Sequence, residues 1–266
     1  MTRKLRRTAA YTLELTLKDD SFVAPPRPGQ RNWLLNRFMR EAAADLQALD
    51  DIARRFVPGA GADTGGVGPA KDMRQADLGD QEIMEDWQHP LMAAMAEIAG
   101  VPGGSVLEVG FGRGFASDLL QARGIGSHTI IECNPSVIRR FGEWRDRYPD
   151  SEIHLVEGLW QDVMDGLGTF DAIFFHTYAL DEEEAVERLS GVTFADNFFP
   201  VAAAHLNEGG VFTYLTSEID SVGRAHQRLL FKHFREVRIQ VVPLELPADL
   251  KDAWWADSMV AIEAVR

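Results

Sequence analysis

The chain has 266 residues, with 27 lysine and arginine residues against 41 aspartate and glutamate residues, and a formal net charge of −14. Its 45% apolar and 26% charged residues are ordinary for a globular protein, which excludes wholesale disorder. The acidic surplus argues against nucleic acid or a membrane as the main partner, because both attract clustered basic residues. We therefore expect a globular protein of one or two domains that binds neither.

Cysteine content and hydropathy bear on compartment and metal binding. The single cysteine, Cys133, excludes an intrachain disulfide framework and a zinc site built from several cysteines. No run approaches about 18 apolar residues, and no apolar segment follows the basic first residues, so neither a membrane span nor a secretory signal is expected. We predict a cytoplasmic protein without a metal site.

The first 70 residues differ in pattern from the rest of the chain. Residues 11–17 alternate between apolar and polar, as in a strand, and residues 57–70 are rich in glycine and proline, as in a linker. Between them, apolar residues three and four positions apart predict one amphipathic helix: Leu34, Phe38, Ala42, Leu46, Leu49, Ile52 and Phe56. One strand and one helix cannot bury themselves. We predict an N-terminal extension over 1–70 that packs on a main domain over 71–266 or mediates a homodimer.

In the main domain, strand and helix patterns alternate. Strands are predicted at 105–109, 129–132, 153–156, 170–175 and 211–216, and the helix before the last of these is expected to end at glycines 209 and 210. Two further strands, 237–242 and 255–265, follow without a helix between them. This order predicts an α/β fold with a doubly wound, seven-stranded Rossmann-like sheet closed by an antiparallel hairpin.

A glycine-rich loop follows the first of these strands. Gly110, Gly112 and Gly114 lie between that strand and a helix, where glycines let the backbone approach a ligand closely. At the end of the next strand, Glu132 is placed to accept the ribose hydroxyls of a nucleoside. The combination predicts a cofactor that contains a nucleoside.

Two features decide between a dinucleotide and S-adenosylmethionine. The third glycine comes two residues after the second, which departs from the G-x-G-x-x-G fingerprint. Glu108, just before the loop, would repel a pyrophosphate but suits the ammonium and sulfonium charges of S-adenosylmethionine. Since the antiparallel ending also fits the methyltransferase form of the sheet, we predict S-adenosylmethionine as the cofactor.

Several segments resemble guanidinoacetate N-methyltransferase, namely residues 83–92, 106–112, 130–134, 158–163, 177–183, 209–214, 216–217 and 247–249. The resemblance covers about residues 80 to 264 and implies an S-adenosylmethionine-dependent methyltransferase. Together with Glu108 and Gly110 of the loop, it implies the following cofactor-binding residues: Met84, Met92, Phe111, Gly112, Arg113, Gly114, Phe115, Ala116, Glu132, Cys133, Asn134, Trp160 and Gln161.

The acceptor side departs from the family. The family holds its cationic guanidino group with two carboxylates, and here those positions are Gln88 and His176. Losing two charge-assisted hydrogen bonds removes on the order of several kcal/mol of cation binding. We therefore expect a small-molecule acceptor other than guanidinoacetate: an amine, a guanidine or an amino-acid-like metabolite methylated at nitrogen. The candidate acceptor-binding residues are Gln88, His176, Tyr178, Leu215 and Thr216.

Gln88 and His176 are also the candidate catalytic residues. With an ordinary pKa near 6.5, His176 could act as a general base or only as a binding contact. Two other functions stay open at this point. One is O- or carboxyl-methylation of a metabolite or peptide, or methyl transfer to a peptide or protein side chain. The other is a non-catalytic cofactor-binding or dimerisation role.

Overall fold

The computed structural model describes residues 83–177, 192–193, 195–216, 218–247 and 256–266. The elements described below fall within one compact unit, made of residues 62–245 and 257–266. The extension over 1–70, with its strand, helix and linker, lies outside the described residues. The domain boundary near residue 70 and the homodimer therefore stay predictions.

The sheet has seven strands in the order β3-β2-β1-β4-β5-β7-β6. The first five strands run parallel, and β7 pairs antiparallel with both β5 and β6. This confirms the predicted doubly wound Rossmann-like sheet with an antiparallel ending. The strand bounds are β1 Ser105–Val109, β2 Ser127–Glu132, β3 Glu152–Glu157, β4 Phe170–Phe175, β5 Leu206–Tyr214, β6 Glu236–Pro243 and β7 Ser258–Val265.

Helices and short 3₁₀ turns connect the strands. The third helix shows how the sequence sets a boundary: the Asn134 side chain accepts the N–H groups of Ser136 and Val137, and Pro135 occupies the first helical position. Three-residue 3₁₀ turns lie at Asp86–Gln88, Met164–Gly166 and Asp196–Phe198. The helix bounds are α1 His89–Ala99, α2 Phe115–Ala122, α3 Pro135–Arg145, α4 Trp160–Val163, α5 Phe199–His205 and α6 Arg224–His233.

The start of β5 differs from the prediction. Helix α5 ends at His205, and the strand begins at Leu206, so glycines 209 and 210 lie inside β5 and do not cap the helix. Gly209 has a φ of 78°, and the register between β4 and β5 shifts between Phe170 and Ala172. The N–H of Gly209 donates to the carbonyl oxygen of Arg266. The two glycines therefore form an irregularity that pairs with the end of the chain.

Both faces of the sheet are covered. On one face, alternate residues of the central strands pack with α5 and α6 around aromatic side chains that include Phe199, Phe212 and Tyr214. A second cluster on α3 and β2 includes Phe141, Trp144 and Ile130. Burial on both faces explains why the central strands read as nearly continuous apolar runs.

Within the described ranges, no helix has the length and apolar character needed to cross a membrane. Among the same residues, no three histidine, cysteine, aspartate or glutamate side chains gather in a group that could hold a metal ion. The cytoplasmic location stays a prediction.

Candidate active site

The glycine loop between β1 and α2 depends on its glycines for its shape. Gly110, Gly112 and Gly114 have φ values of 93°, 57° and 75°, a region that residues with a Cβ rarely adopt. A Cβ on Gly110 would overlap the carbonyl oxygen of His176, and a Cβ on Gly114 would lie 2.9 Å from the Phe111 ring. The loop therefore brings the backbone after β4 directly against the backbone after β1.

The side chain of Glu132, the last residue of β2, forms hydrogen bonds with the backbone of this loop. Its Oε2 accepts the N–H of Phe111 at 3.0 Å, and its Oε1 accepts the N–H groups of Cys133 and Asn134 at 2.8 Å each. Burial raises the pKa of Glu132, and these backbone hydrogen bonds act in the opposite direction. The backbone N–H of Gly112 also lowers this pKa, so backbone groups already engage about all four accepting directions of the carboxylate. The expectation that it accepts both hydroxyls stays a prediction.

The hydrogen bonding of the loop fits a cofactor without phosphate. The N–H groups of Gly110 and Gly114 donate to the carbonyl oxygens of Ile131 and Phe111, and the N–H of Phe111 donates to Glu132. These groups are not available to cradle a pyrophosphate, and the buried Glu132 carboxylate would repel one. S-adenosylmethionine carries no phosphate, so the residues fit it better than they fit a dinucleotide.

Glu108 reaches a different environment from the one expected of a cofactor ligand. The residue is fully buried, and its Oε2 accepts the hydroxyl of Ser117 at 2.6 Å. The same oxygen lies 3.0 Å from Nε2 of His128. Glu108 therefore joins β1 to α2 through Ser117, whereas its Oε1 and the Nε2 of His128 have no hydrogen-bond partner among the described residues. A contact with the cofactor ammonium group stays a prediction.

Gln88 is the acceptor-side residue with an unused hydrogen-bonding atom. It ends the 3₁₀ turn at Asp86–Gln88 and directly precedes α1. Its side-chain Oε1 is buried and has no hydrogen-bond partner among the residues that the structure describes. Leaving a buried acceptor unpaired costs about 1–3 kcal/mol. If the molecule that receives the methyl group bound here, one of its N–H groups would donate to Oε1 and remove this energetic cost.

His176 directly follows β4, and its N–H donates to the carbonyl oxygen of Val109 at 3.0 Å. Burial lowers the pKa of His176 to about 4, because the protonated imidazole is poorly solvated there. The ring is therefore neutral at neutral pH and is a weaker base than an ordinary histidine. This favours a binding contact over the alternative of a general base.

Several other predicted site residues are buried or half-buried, and some of them contact the glycine loop or the start of α2. Met84 and Met92 are buried, and Arg113 donates to the carbonyl oxygen of Met84 at 3.1 Å. The Phe115 ring stacks on His89. Phe111 and Ala116 are buried, and Cys133 is half-buried. The Trp160 side chain packs edge-on against Phe175 and Phe198, and it is half-buried.

Other predicted site residues use their side chains elsewhere. The Asn134 side chain caps α3, and the Thr216 hydroxyl donates to the carbonyl oxygen of Val260 at 2.6 Å. Gln161 is exposed, and Tyr178 lies outside the described residues. The N–H of Leu215 donates to the carbonyl oxygen of Phe175, which places it next to the end of β4. The cofactor and acceptor roles of the whole set stay predictions.

Three contacts between side chains were not predicted from the sequence. Arg113 of the glycine loop pairs with Asp86 at 2.6 Å. On the other face of the sheet, the Tyr214 hydroxyl lies 2.5 Å from Nε2 of His226, whose Nδ1 lies 2.9 Å from Glu218. Each pair joins residues on different elements, and only the tertiary fold brings them together.

The sheet order, the glycine loop after β1 and the carboxylate that ends β2 define the class. Together they are the features of a Rossmann-like, S-adenosylmethionine-dependent methyltransferase. The family model described as guanidinoacetate N-methyltransferase matches residues 69–245. The chain belongs to this family, which confirms the resemblance and the predicted methyltransferase class.

The curated relatives share a different name. Protein arginine N-methyltransferase 2 of Emericella nidulans is 36% identical over 114 residues, which cover 40% of this chain and 26% of the relative. Its namesake from Cryptococcus neoformans var. neoformans is 27% identical over 225 residues, which cover 71% and 58%. For the first of these relatives, the match thus spans about a quarter of its length.

The similarity of this chain to solved structures bears on the fold alone, because the sequence identity is low. A Streptococcus mutans protein described as a S-adenosylmethionine-dependent methyltransferase aligns with a TM-score of 0.50 at 15% sequence identity. The alignment covers 67% of this chain and 48% of that protein. It agrees with the Rossmann-like architecture described above.

These relatives correct one prediction from the sequence. A small-molecule acceptor was predicted, both as the substrate and as the partner, and this is wrong. The relatives are named for methylating protein arginine, so their acceptor is a protein side chain. The physical reason for the error is that, by the resemblance to the family, the positions of Gln88 and His176 concern only how a guanidino group is held. They do not report whether that group is free or attached to a polypeptide.

Proposed function

We propose that this protein transfers a methyl group from S-adenosylmethionine to a nitrogen of an arginine side chain in a protein substrate. The observation that carries the proposal is the buried, unpartnered Oε1 of Gln88, at a position where the family binds a guanidino group. The names of the curated relatives support the same acceptor. The fit of the glycine loop to a cofactor without phosphate supports the methyl donor.

A guanidino group suits the hydrogen-bonding atoms that Gln88 and His176 offer. It carries five N–H donors in a planar arrangement and no acceptor. The Gln88 Oε1 accepts one of these donors, and a neutral imidazole nitrogen of His176 accepts another. Both partners are uncharged, so they hold the cation less firmly than two carboxylates would.

A protein substrate compensates for this weaker binding of the guanidino group. Contacts made by the rest of a polypeptide supply binding energy far from the reacting nitrogen, which a small metabolite lacks. The net charge of −14 also attracts a basic, arginine-containing partner over a long range at low salt. The acidic surplus, which argued against nucleic acid, thus agrees with a basic protein as the partner.

The chemistry requires positioning more than acid–base assistance. Bound S-adenosylmethionine supplies a methyl group on a positively charged sulfur, and the acceptor nitrogen must approach it in line. Gln88 and His176 orient the guanidino group, and correct orientation supplies much of the acceleration of such a displacement. As the new bond between the acceptor nitrogen and carbon forms, the bond from that carbon to sulfur breaks and leaves S-adenosylhomocysteine, and the nitrogen loses one proton. Since His176 has a pKa of about 4, it accepts a hydrogen bond from that N–H and leaves the proton to solvent.

The test is methylation of an array of arginine-containing peptides, each paired with the same peptide carrying lysine in place of arginine. Formation of S-adenosylhomocysteine is followed with the full chain, and free guanidinoacetate is assayed in parallel. We expect turnover on arginine peptides only, with kcat/KM about tenfold or more lower for Gln88→Ala. Turnover on the lysine peptides, or on guanidinoacetate at the same rate as on arginine peptides, would overturn the proposal.

A further inference from the structure

Residues 83–89, here called the upstream segment, lie across the glycine loop and contact the loop and the first residue of α2. The Ile83 side chain lies 3.6 Å from the position that a Cβ on Gly112 would occupy. Arg113 donates through Nη1 to the carbonyl oxygen of Met84 at 3.1 Å and to Oδ1 of Asp86 at 2.6 Å. The His89 and Phe115 rings stack with their centroids 4.1 Å apart. The segment and the loop therefore form one contact surface.

Arg113 is held in a fixed direction at the centre of this surface. It lies between Gly112 and Gly114, whose positive φ values set the course of the loop backbone. Its side chain is 22% exposed, whereas that of Asp86 is 59% exposed. An ion pair with one exposed partner contributes about 0–1 kcal/mol to stability, so the pair is too weak to account for the fold. Its effect is on the relative position of the two segments.

Gln88 lies in the same three-residue 3₁₀ turn as Asp86. A movement of Asp86 is transmitted to Gln88 because a single turn of backbone joins them. On the other side, Arg113 belongs to the loop whose Phe111 N–H is bound by Glu132. A displacement of the loop by a bound cofactor would therefore reach Gln88 through Arg113 and Asp86.

We infer that Asp86 and Arg113 are positioning residues that couple the cofactor loop to the acceptor residue Gln88. The inference rests on the proposed function, because it takes Gln88 as a contact of the acceptor. Cofactor binding orders the upstream segment through this ion pair, and the acceptor arginine then binds more tightly. A pair of this strength carries at most about a fivefold change in affinity, and the coupling is reciprocal.

The first test uses amide hydrogen exchange and needs no acceptor. Exchange of residues 83–89 in the full chain is measured with and without saturating S-adenosylhomocysteine. We expect S-adenosylhomocysteine to slow exchange of the upstream segment in the wild type and in Asp86→Glu, and to have little effect on it in Asp86→Asn. Equal slowing in the wild type and in Asp86→Asn would overturn the inference, and so would an absence of slowing in the wild type.

The second test measures the affinity of an arginine peptide with and without S-adenosylhomocysteine. The ratio of the two dissociation constants should be about two- to fivefold in the wild type and close to one in Asp86→Asn. Glu97→Gln is the matched control, since Glu97 of α1 pairs with Arg123 at 3.9 Å, away from the loop, and should keep the wild-type ratio.

The outcomes separate the inference from the proposed function. Methylation of arginine peptides together with a ratio of one in the wild type would leave the function standing and reject the coupling. Slowed exchange of the upstream segment without methylation of any arginine peptide would reject the function, while the contact between loop and segment would stand. Loss of the wild-type ratio in Glu97→Gln would show that the effect is not specific to Asp86 and would also reject the coupling.

Discussion

Gly110 and His176 meet through their backbones, because any Cβ on Gly110 would overlap the carbonyl oxygen of His176. The contact joins the ends of β1 and β4, which are neighbours in the sheet, just where the parallel strands open toward the site. The glycine at this position is thus required both by its φ of 93° and by its neighbour.

The first prediction concerns this contact. Gly110→Ala forces the His176 backbone away and places alanine at a positive φ, so we expect a loss of about 1–3 kcal/mol in the free energy of unfolding. Urea denaturation measures the change. Gly142→Ala is the matched control: its Cβ meets nothing within 4 Å on α3, and it should gain about 0.5–1 kcal/mol. A Gly110→Ala protein as stable as the wild type would contradict the account of the loop.

The second prediction concerns Glu132. In Glu132→Gln, one oxygen becomes an NH₂ group that cannot accept the backbone N–H groups now bound there. Losing a charge-assisted hydrogen bond costs about 1.5–3 kcal/mol, so affinity for S-adenosylhomocysteine should fall about tenfold or more in calorimetry. Glu152→Gln, on the exposed side of edge strand β3, should bind as the wild type does. Unchanged affinity in Glu132→Gln would remove this carboxylate from the cofactor site.

The third prediction concerns pH. The pKa of His176 is about 4 in the folded chain and near 6.5 in the unfolded chain, so between these values the unfolded chain binds more protons. Stability is therefore complete above pH 6.5 and falls as the pH drops toward 4, by at most about 1.4 kcal/mol per pH unit. Since His176→Gln removes this titration, the variant should lose less stability between pH 7 and pH 5. Identical losses in urea denaturation would contradict the neutral imidazole of the half-buried His176.

The same pKa has a consequence for activity. If His176 were a general base with an ordinary pKa, turnover would decline below about pH 6.5 and this decline would vanish in His176→Gln. We expect instead that the pH profiles of the wild type and of His176→Gln have the same shape between pH 5.5 and pH 8, with a lower plateau in the variant. A decline in turnover at low pH that only the wild type shows would mean that His176 acts as a general base.

The fourth prediction is a gain of binding. Gln88→Glu places a carboxylate where the family has one, and a charge-assisted hydrogen bond to a guanidino group is about twice as strong as a neutral one. We expect KM for arginine peptides to fall and free guanidinoacetate to become a detectable acceptor. Gln240→Glu, which adds the same charge at an exposed position on β6, controls for the change in net charge. An equal effect in both variants would mean that Gln88 does not contact the acceptor.

Much of the fold could be predicted from local pattern. The central strands β1 and β4 were placed correctly because strands buried on both faces read as short apolar runs. The start of β5 could not be placed in this way. Gly209 and Gly210 resemble a helix C-cap locally, and only their pairing with Arg266 at the end of the chain draws them into the sheet.

Part of the site could also be predicted from local sequence pattern. The glycines and Glu132 stand out because their conformation and position follow from the strand–loop–helix pattern. The pairing of Arg113 with Asp86 has no local signal, and neither does the fastening of Glu108 to Ser117. A pocket for a guanidino group needs the same residues whether that group belongs to a metabolite or to a protein. The class of methyl acceptor could therefore not be predicted from these residues.

One measurement tests the central claim most directly. The full chain is incubated with S-adenosylmethionine carrying a deuterated methyl group, together with a mixture of basic proteins and free guanidinoacetate, and tandem mass spectrometry locates the label. We predict labelled arginine residues in the proteins, unlabelled guanidinoacetate, and loss of the labelling in Gln88→Ala. Label on another residue type, or on guanidinoacetate alone, would contradict the assignment of protein arginine as the acceptor.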